Sequence, residues 1–511
     1  MPAIDPAEPA EGFPRGPWIA ALAWGLATFF LLLLLRAGSW QLAGTDAFFH
    51  LSVAQWIGEN GFRDLHLPWT RFSLFAEQWG DKEFLFHALL VPFSSAEKLQ
   101  RGGVIALCLF NALQSSLLAW IGLRWFGRRG AWLPVAVAAA NAGVWLRYDL
   151  LRPHLLSMML LLLAALAISR SSKRGLAFVS FLYPLCYTAW QTLWILCVFV
   201  AGILWFFRRE RLWYLVLIPP LGLAAGIFAH PAFPANINVW YHQNIVYFLI
   251  KNSVSVGVEI YPLTTAQFLL SASPALFFLF AAFFTTYPWT GAGPVSRNEM
   301  ICAGFAVPFS VLTLLSYRFI EYAAPFLACY FFFLLNRLCL NPKLPSEFRR
   351  RRDLLLASLL VYAAGFNFLI ARITSAPEEQ RVAFKSTEDE IQFRNALPEG
   401  ARVAAQWDST SHYIFAAPQA AYLNVLDPVF MYAVDPKLAY TETAFFSGAS
   451  RNPAYVVEAA FDSEYVALHG LKKSRLLEQL TADPRFSLHH DGRPHRIFRL
   501  VPAEKDNVNS D

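Results

Sequence analysis

Long apolar runs recur through the first three quarters of this chain, and they constrain it more than any other feature. A helix needs about 20 apolar residues to cross roughly 30 Å of hydrocarbon. Runs near that length cover residues 18–36, 102–124, 131–146, 154–169, 175–190, 192–207, 212–229, 266–288, 299–316, 321–340 and 354–372. Backbone groups in lipid have no water to bond, so such runs become helices. The expectation is a polytopic α-helical membrane protein of about eleven transmembrane helices. Only 15% of the residues are charged, against roughly 25% in soluble domains. The first run, from Trp18 to Leu35, lacks a basic start and a small-residue cleavage site, so it is expected to remain as a span.

The loops between runs carry a charge asymmetry. Arg124, Arg128 and Arg129 fall in one loop, Arg170, Lys173 and Arg174 in a second, and Arg208, Arg209 and Arg211 in a third. Arg297, and then Arg337, Lys343 and Arg349 to Arg352, continue the series, whereas the intervening loops hold only Arg147, Arg152, Lys251 and Arg318. The positive-inside rule puts the first set and the N-terminus in the cytoplasm. The net charge of +6 is therefore a topology signal, and no nucleic-acid partner is expected. The expected setting is the bacterial inner membrane. The six cysteines lie in or beside apolar runs without metal-ligand spacing and read as packing residues.

An odd number of spans delivers the segment after residue 372 to the outer side, together with a long first loop over 37–101. The chain thus divides into a membrane module, 1–372, and a soluble extracytoplasmic domain, 373–511. The latter turns polar, with strand-like Arg402-Val-Ala-Ala and Tyr465-Val-Ala-Leu and a helix-like stretch from Lys473 to Leu480, and reads as a small α/β domain.

Ionisable residues at a membrane are costly, and those retained are functional candidates. They gather in the outer loops. The first contains Gly44-Thr-Asp46-Ala-Phe-Phe-His50, Asp64, His66, Asp81-Lys82-Glu83 and His87. Asp46 and His50 share a face if the segment is helical, although Thr45 or Asp46 equally suits a helix N-cap. The next cluster is Arg147-Tyr-Asp149-Leu-Leu-Arg152-Pro-His154. There Arg152 and His154 suit a phosphate and Asp149 a divalent cation, unless the arginines merely snorkel to headgroups. A later loop runs from His230 through Asn236, Tyr241 and His242 to Ser255-Val-Gly-Val-Glu259. It fits a sugar site or an interfacial amphipathic helix. Arg318 and Glu321 stand three apart and can pair with each other. No phosphate-cradling glycine loop, Gly-x-Ser-x-Gly or His-Glu-x-x-His is present, so cytoplasmic nucleotide-driven chemistry has no motif.

On these motifs the membrane part resembles the C-type membrane glycosyltransferases, which include protein mannosyltransferases, aminoarabinose transferases and the oligosaccharyltransferase catalytic subunit. The family places an acidic residue just after helix one, matched by Asp46, and an acidic-Lys pair before an apolar helix, matched by Asp81-Lys82. Its second acidic outer loop resembles Asp149, but position 147 is Arg, so a full Asp-x-Asp is absent. Ser255-Val-Gly-Val-Glu259 is similar to the acceptor-clamping Ser-Val-x-Glu element of oligosaccharyltransferases, and Gln406-Trp-Asp408 faintly resembles their Trp-Trp-Asp-Tyr-Gly. Leu151-Arg-Pro-His-Leu-Leu-Ser157 and Asp427-Pro-Val-Phe-Met-Tyr432 are similar to uncharacterised bacterial members.

The resemblance implies transfer of a sugar, with inversion, from a polyprenyl-phosphate donor to a glycan, lipid or protein acceptor, among membrane lipid. Asp46 and Asp149 become the expected catalytic carboxylates, with Asp46 as base. His50, Lys82, His87, Arg152, His154, His230, Glu259 and Arg318 are the expected substrate contacts. Asp81 and Asp149 are the expected ligands of a divalent cation, Mg or Mn. The competing readings are a lipid or solute transporter or flippase, with ionisable groups on broken helices at the midplane, and a non-catalytic scaffold of the cell envelope.

Overall fold

The computed structural model describes residues 16–36, 40–62, 67–77, 79–95, 99–262, 264–265, 295–339, 346–374, 384, 387–470, 474–492 and 494–501. Among these, six helical stretches are long and apolar enough to cross a membrane: Pro17–Arg36, Leu99–Ala140, Gln191–Arg208, Arg297–Leu315, Tyr317–Asn336 and Leu356–Ile373. Shorter apolar helices, His154–Ser169 and Tyr214–Phe228, occupy two more of the expected runs. The run over 266–288 lies outside the described residues, as do Asp64 and His66. The molecule is a multi-pass membrane protein.

The expected run over 131–146 breaks in two. Asn141 is extended (φ −167°, ψ 143°), and its side chain accepts the Gly143 N–H at 2.6 Å, so it ends the Leu133–Ala140 helix and caps Ala142–Tyr148. The cap replaces a backbone bond that the break removes, as an apolar setting demands. Gly143 is needed because a Cβ there would collide with the Tyr317 hydroxyl.

The His154–Ser169 helix separates two chemically different ends. Its 16 residues span about 24 Å. At its C-terminal end Arg297 donates to the Ile168 and Ser169 carbonyls at 3.1 and 2.8 Å and pairs with Glu210 at 3.0 Å. A cation there satisfies terminal carbonyls and the helix dipole. At its N-terminal end lie Arg152, His154 and the acidic groups of the outer loops. Elsewhere, helix contacts use small polar groups: Ser116 Oγ donates to the Ala21 carbonyl at 2.9 Å, and Thr28 Oγ1 to Ser115 Oγ at 2.8 Å, joining Pro17–Arg36 to Leu99–Phe126.

The C-terminal region contains a five-stranded sheet of order β2-β1-β3-β5-β4, with β1 Arg402–Ala405, β2 Ala421–Tyr422, β3 Tyr465–His469, β4 Phe486–Asp491 and β5 His495–Leu500. β1 runs parallel to β2 and β3, while β5 is antiparallel to β3 and β4. The stretch Arg475–Ala482 is helical. One apolar core continues from the membrane helices through Phe48, Phe75 and Trp69 to Val403, Tyr413, Phe430 and Ile497.

The first outer loop is stitched to this sheet by backbone. The Tyr422 N–H donates to the Trp69 carbonyl at 2.7 Å, and the Arg71 and Phe72 N–H groups donate to the Tyr422 and Leu423 carbonyls at 2.9 and 3.0 Å. An edge that would otherwise be open is thereby covered. The Arg71 guanidinium adds bonds to the Phe461 and Asp462 carbonyls and to Ser463 Oγ, at 2.7–3.0 Å. Replacing Arg71 by Ala should weaken this docking by about 2 kcal/mol, the scale of hydrogen bonds to a charged group. Hydrogen exchange should then speed up in β2 and around Phe461–Ser463 while the Leu99–Phe126 helix stays protected.

Candidate active site at the outer ends of the helices

Asp46 is the first residue of the Asp46–Asn60 helix, and Thr45 before it makes no side-chain cap bond. The capping role is thus not what the pair performs. The carboxylate turns outward to Arg152, whose Nε stands 3.1 Å from Asp46 Oδ2. Arg152 also donates from Nη1 to both oxygens of Glu259, at 3.2 and 3.1 Å. Glu259 accepts a second guanidinium, that of Arg147, and Arg147 Nε reaches Glu321 Oε2 at 2.5 Å. Five side chains from distant stretches therefore form a ladder of alternating sign: Asp46, Arg152, Glu259, Arg147, Glu321.

Burial alone would raise the Glu259 carboxyl, but Arg147, Arg152 and Arg318 hold it well below the ordinary carboxylate range. The Arg318–Glu321 pairing does not form, because Glu321 is turned to Arg147. Arg318 has no ion-pair contact among the described residues. His154 is buried, with Nε2 3.9 Å from Glu321 Oε2.

A second cluster lies in the first loop. Both oxygens of Asp81 stand 2.9 Å from His87 Nδ1, and His87 Nε2 is 2.8 Å from His50 Nδ1. A carboxylate accepting from Nδ1–H leaves Nε2 as acceptor for His50, so the chain of bonds assigns both tautomers. Burial would raise Asp81, yet His87 and the Glu83 N–H bring it below its usual value. Burial pushes Glu83 up and His50 well down. Lys82 lies 3.4 Å from Glu83 Oε1 and 5.4 Å from the centre of the Phe430 ring. His230 is buried behind this cluster, against Phe84 at 5.7 Å, with its Nδ1 accepting the Ala232 N–H at 3.1 Å. That placement packs it against the first loop.

Asp149 departs most from expectation. Its carboxylate pairs with Arg36 at the end of the first helix. Asp81 pairs with His87, so the two expected cation ligands are engaged with different partners. His50, Glu83 and His87 lie close enough to share an ion; as placed, His50 and His87 share the 2.8 Å hydrogen bond.

Asp149 and Arg36 instead help line an apolar cavity of about 550 Å³ between Pro17–Arg36, Leu99–Phe126 and Leu356–Ile373. Trp24, Leu31, Trp145, Phe368 and Arg372 line it as well. Tyr148 lines it too, its hydroxyl accepting from Gln114 Nε2 at 2.8 Å.

Three site residues had no clear signal in the sequence. Arg147 joins Glu259 to Glu321 from a position that departs from the family's Asp-x-Asp, and Glu321 has a sequence signal only as a partner of Arg318. The third, Asp427, begins Asp427-Pro-Val-Phe-Met-Tyr432. It is half-buried at the start of the Pro428–Tyr432 helix, its Oδ1 atom buried without a hydrogen-bond partner. Burial raises its carboxyl to about 7; Lys82 and Arg318 oppose the rise and Asp46 adds to it, which places Asp427 in the same electrostatic field as the ladder.

No protein-family profile matches the sequence, and no curated protein is similar to it by sequence. Solved structures are similar in fold. The archaeal oligosaccharyltransferase AglB from Archaeoglobus fulgidus, in complex with an inhibitory peptide and a dolichol-phosphate, superposes with a TM-score of 0.58 at 12% identity, over 89% of this chain and 70% of that one. ArnT from Cupriavidus metallidurans bound to undecaprenyl phosphate gives 0.55 at 15% identity, over 96% and 99% of the two chains. Its apo state gives 0.57 at 13%, over 94% and 97%. The chain thus shares its fold with AglB and ArnT.

Asp427 yields a pH prediction. Its folded-state value of about 7 exceeds the roughly 3.9 of an unfolded Asp, so the folded chain binds the proton more tightly. Stability contributed by that proton is full below about pH 4 and declines as pH rises to about 7, by at most about 4 kcal/mol. Asp427→Asn should therefore melt like wild type at pH 4.5 and several degrees higher at pH 8. Parallel melting curves at both pH values would exclude the burial argument.

Proposed function

We propose that the chain transfers a sugar from a polyprenyl-phosphate donor to an acceptor at the extracytoplasmic face of the membrane. The observation that carries this reading is the convergence of Asp46, Arg147, Arg152, Glu259 and Glu321, from separate stretches of chain, at one end of the helix bundle. A phosphate entering there competes with Asp46 for Arg152 and meets Arg318, which has no ion-pair contact among the described residues. Forked guanidinium donors suit its oxygens. Once Arg152 turns to the phosphate, the Asp46 carboxylate is free to accept a proton from the acceptor hydroxyl as it attacks the anomeric carbon. The phosphate leaves with its charge neutralised by Arg152 and Arg318, with Lys82 nearby. Direct displacement gives inversion and needs no covalent enzyme intermediate. The guanidinium groups fill the role that the resemblance would give to a Mg or Mn ion. The acceptor, whether glycan, lipid or protein, approaches through the loop that carries Glu259, and the bacterial inner membrane with a cytoplasmic N-terminus is the setting that fits the loop charges.

The donor's chain is assigned to the apolar cavity that Arg36 and Arg372 help line. The transporter reading draws on the broken helix at Asn141, but that break serves here to present Arg147, and the charged groups sit at helix ends rather than midway along them.

Two measurements test this. With purified protein in detergent and polyprenyl-phosphate-linked sugars, Asp46→Asn should lower kcat by about 10²–10⁴-fold, the range of general-base catalysis; unchanged turnover removes the proposed base. Gly365 lines the cavity and has open space around its Cα. Leu there favours the helix, so Gly365→Leu should preserve stability while raising KM for the lipid donor several-fold at similar kcat. An unaltered KM would place the lipid chain elsewhere.

A further inference from the structure

Away from the ladder, three imidazoles meet between the sheet and the Asp46–Asn60 helix. His412 projects from the Trp407–Ala416 helix, His469 ends β3 and His495 begins β5. His469 and His495 are direct partners in the antiparallel register, which puts their side chains on one face of the sheet. Their Nδ1 atoms are 3.3 Å apart. The His412 ring lies 5.5 Å from His469 and 6.2 Å from His495, centre to centre. One nitrogen from each of the three falls within 4.8 Å of the others.

His412 supplies the decisive observation. Only 1% of it is exposed, and neither ring nitrogen has a hydrogen-bond partner. A buried polar group left in this state is costly, and native folds rarely tolerate one without an ion or water to satisfy it. Two strands and a helix have delivered three nitrogen donors to one point with no carboxylate among them.

We propose that His412, His469 and His495 bind a zinc ion that fastens the sheet to the helix carrying Asp46. Imidazoles suit zinc and poorly suit Mg or Ca. With Zn–N bonds of about 2.0–2.1 Å, two ligands of a tetrahedral site lie about 3.3 Å apart, and the His469–His495 spacing already matches that edge. His412 closes the remaining gap with a small ring movement. Phe48, from the first turn of the Asp46–Asn60 helix, packs edge-on against His412 at 4.9 Å, while Phe384 and Phe393 cover His495 at 4.4 and 5.7 Å. This apolar enclosure suits a structural ion. The partly exposed His469 is its way in. The Tyr413 hydroxyl, 3.4 Å from the same His495 Nδ1, gives up that nitrogen to the ion. The site is independent of the glycosyl-transfer reading.

The test uses untagged full-length protein in detergent, equilibrated with zinc-buffered solution and analysed for metal by mass spectrometry. The wild type should retain about one zinc per chain. His469→Gln and His412→Ala should each retain less than a tenth of that, whereas His87→Gln in the first loop should keep it. Chelation should lower the wild-type melting temperature by several degrees and leave that of His469→Gln unchanged. Cobalt in place of zinc should give the visible bands of a tetrahedral imidazole site. A wild type that binds no zinc, zinc undiminished in His469→Gln, or zinc lost only in His87→Gln would overturn the assignment.

Discussion

The alternating ladder from Asp46 to Glu321 is the constraint around which the outer half of the molecule is arranged. Each of its charges would be prohibitively placed alone, since a partly buried ion without a partner costs several kcal/mol. Together they neutralise one another: Arg152 spans Asp46 and Glu259, and Arg147 spans Glu259 and Glu321. The partners come from the first loop, the broken helix, the loop after Tyr214–Phe228 and the start of the Ile320–Cys339 helix. Such a ladder cannot form unless all four arrive, so it selects one arrangement of the helices. It also stores cations that an anionic ligand can recruit by exchange, without first drawing charge into a dry site.

The soluble sheet completes this end of the protein. Its edge strand pairs with Trp69–Phe72, so the long first loop is held between membrane helices and sheet. Phe75 then meets Phe430 at 4.4 Å, Lys82 lies over the same ring, and Phe48 meets Phe415 at 5.0 Å. The loop that presents Asp46, Lys82 and His87 is thus rigid on both sides, which is what positioning of reacting groups requires. Asp427, from the sheet side, shares a field with Asp46 and Arg318.

What the sequence disclosed follows from how local each signal is. Membrane spans are written in composition, and Asp46 and the Asp81–His87 segment lie in one loop, so they were legible. Pairings across the fold were not. Asp149 and Arg152 are three apart, yet the helix ends at Tyr148, and the non-helical stretch that follows sends one carboxylate to Arg36 and one guanidinium to Asp46. Arg318 and Glu321 have helical spacing, but a buried guanidinium at Arg147 outcompetes the local partner. The break at Asn141 was hidden because Ala and Val continue on both sides of it. The histidine trio is spread over 83 residues and carries no motif; only strand register makes His469 and His495 neighbours.

Asn141 also explains how an apolar cavity and a charged site coexist so near each other. Unbroken, the helix over 131–146 would run on in one direction. The break lets Ala142–Tyr148 turn, and that short segment then presents opposite chemistry on its two sides. Trp145 and Tyr148 face the cavity, while Arg147 between them reaches Glu259 and Glu321. Residues adjacent on a helix point about 100° apart, so one turn suffices to divide a lipid-like space from an ionic one. The bond from Gln114 to the Tyr148 hydroxyl holds the partition in place. The proposed donor, a lipid-linked phosphate, has the same two-part chemistry, an aliphatic chain joined to a compact anion.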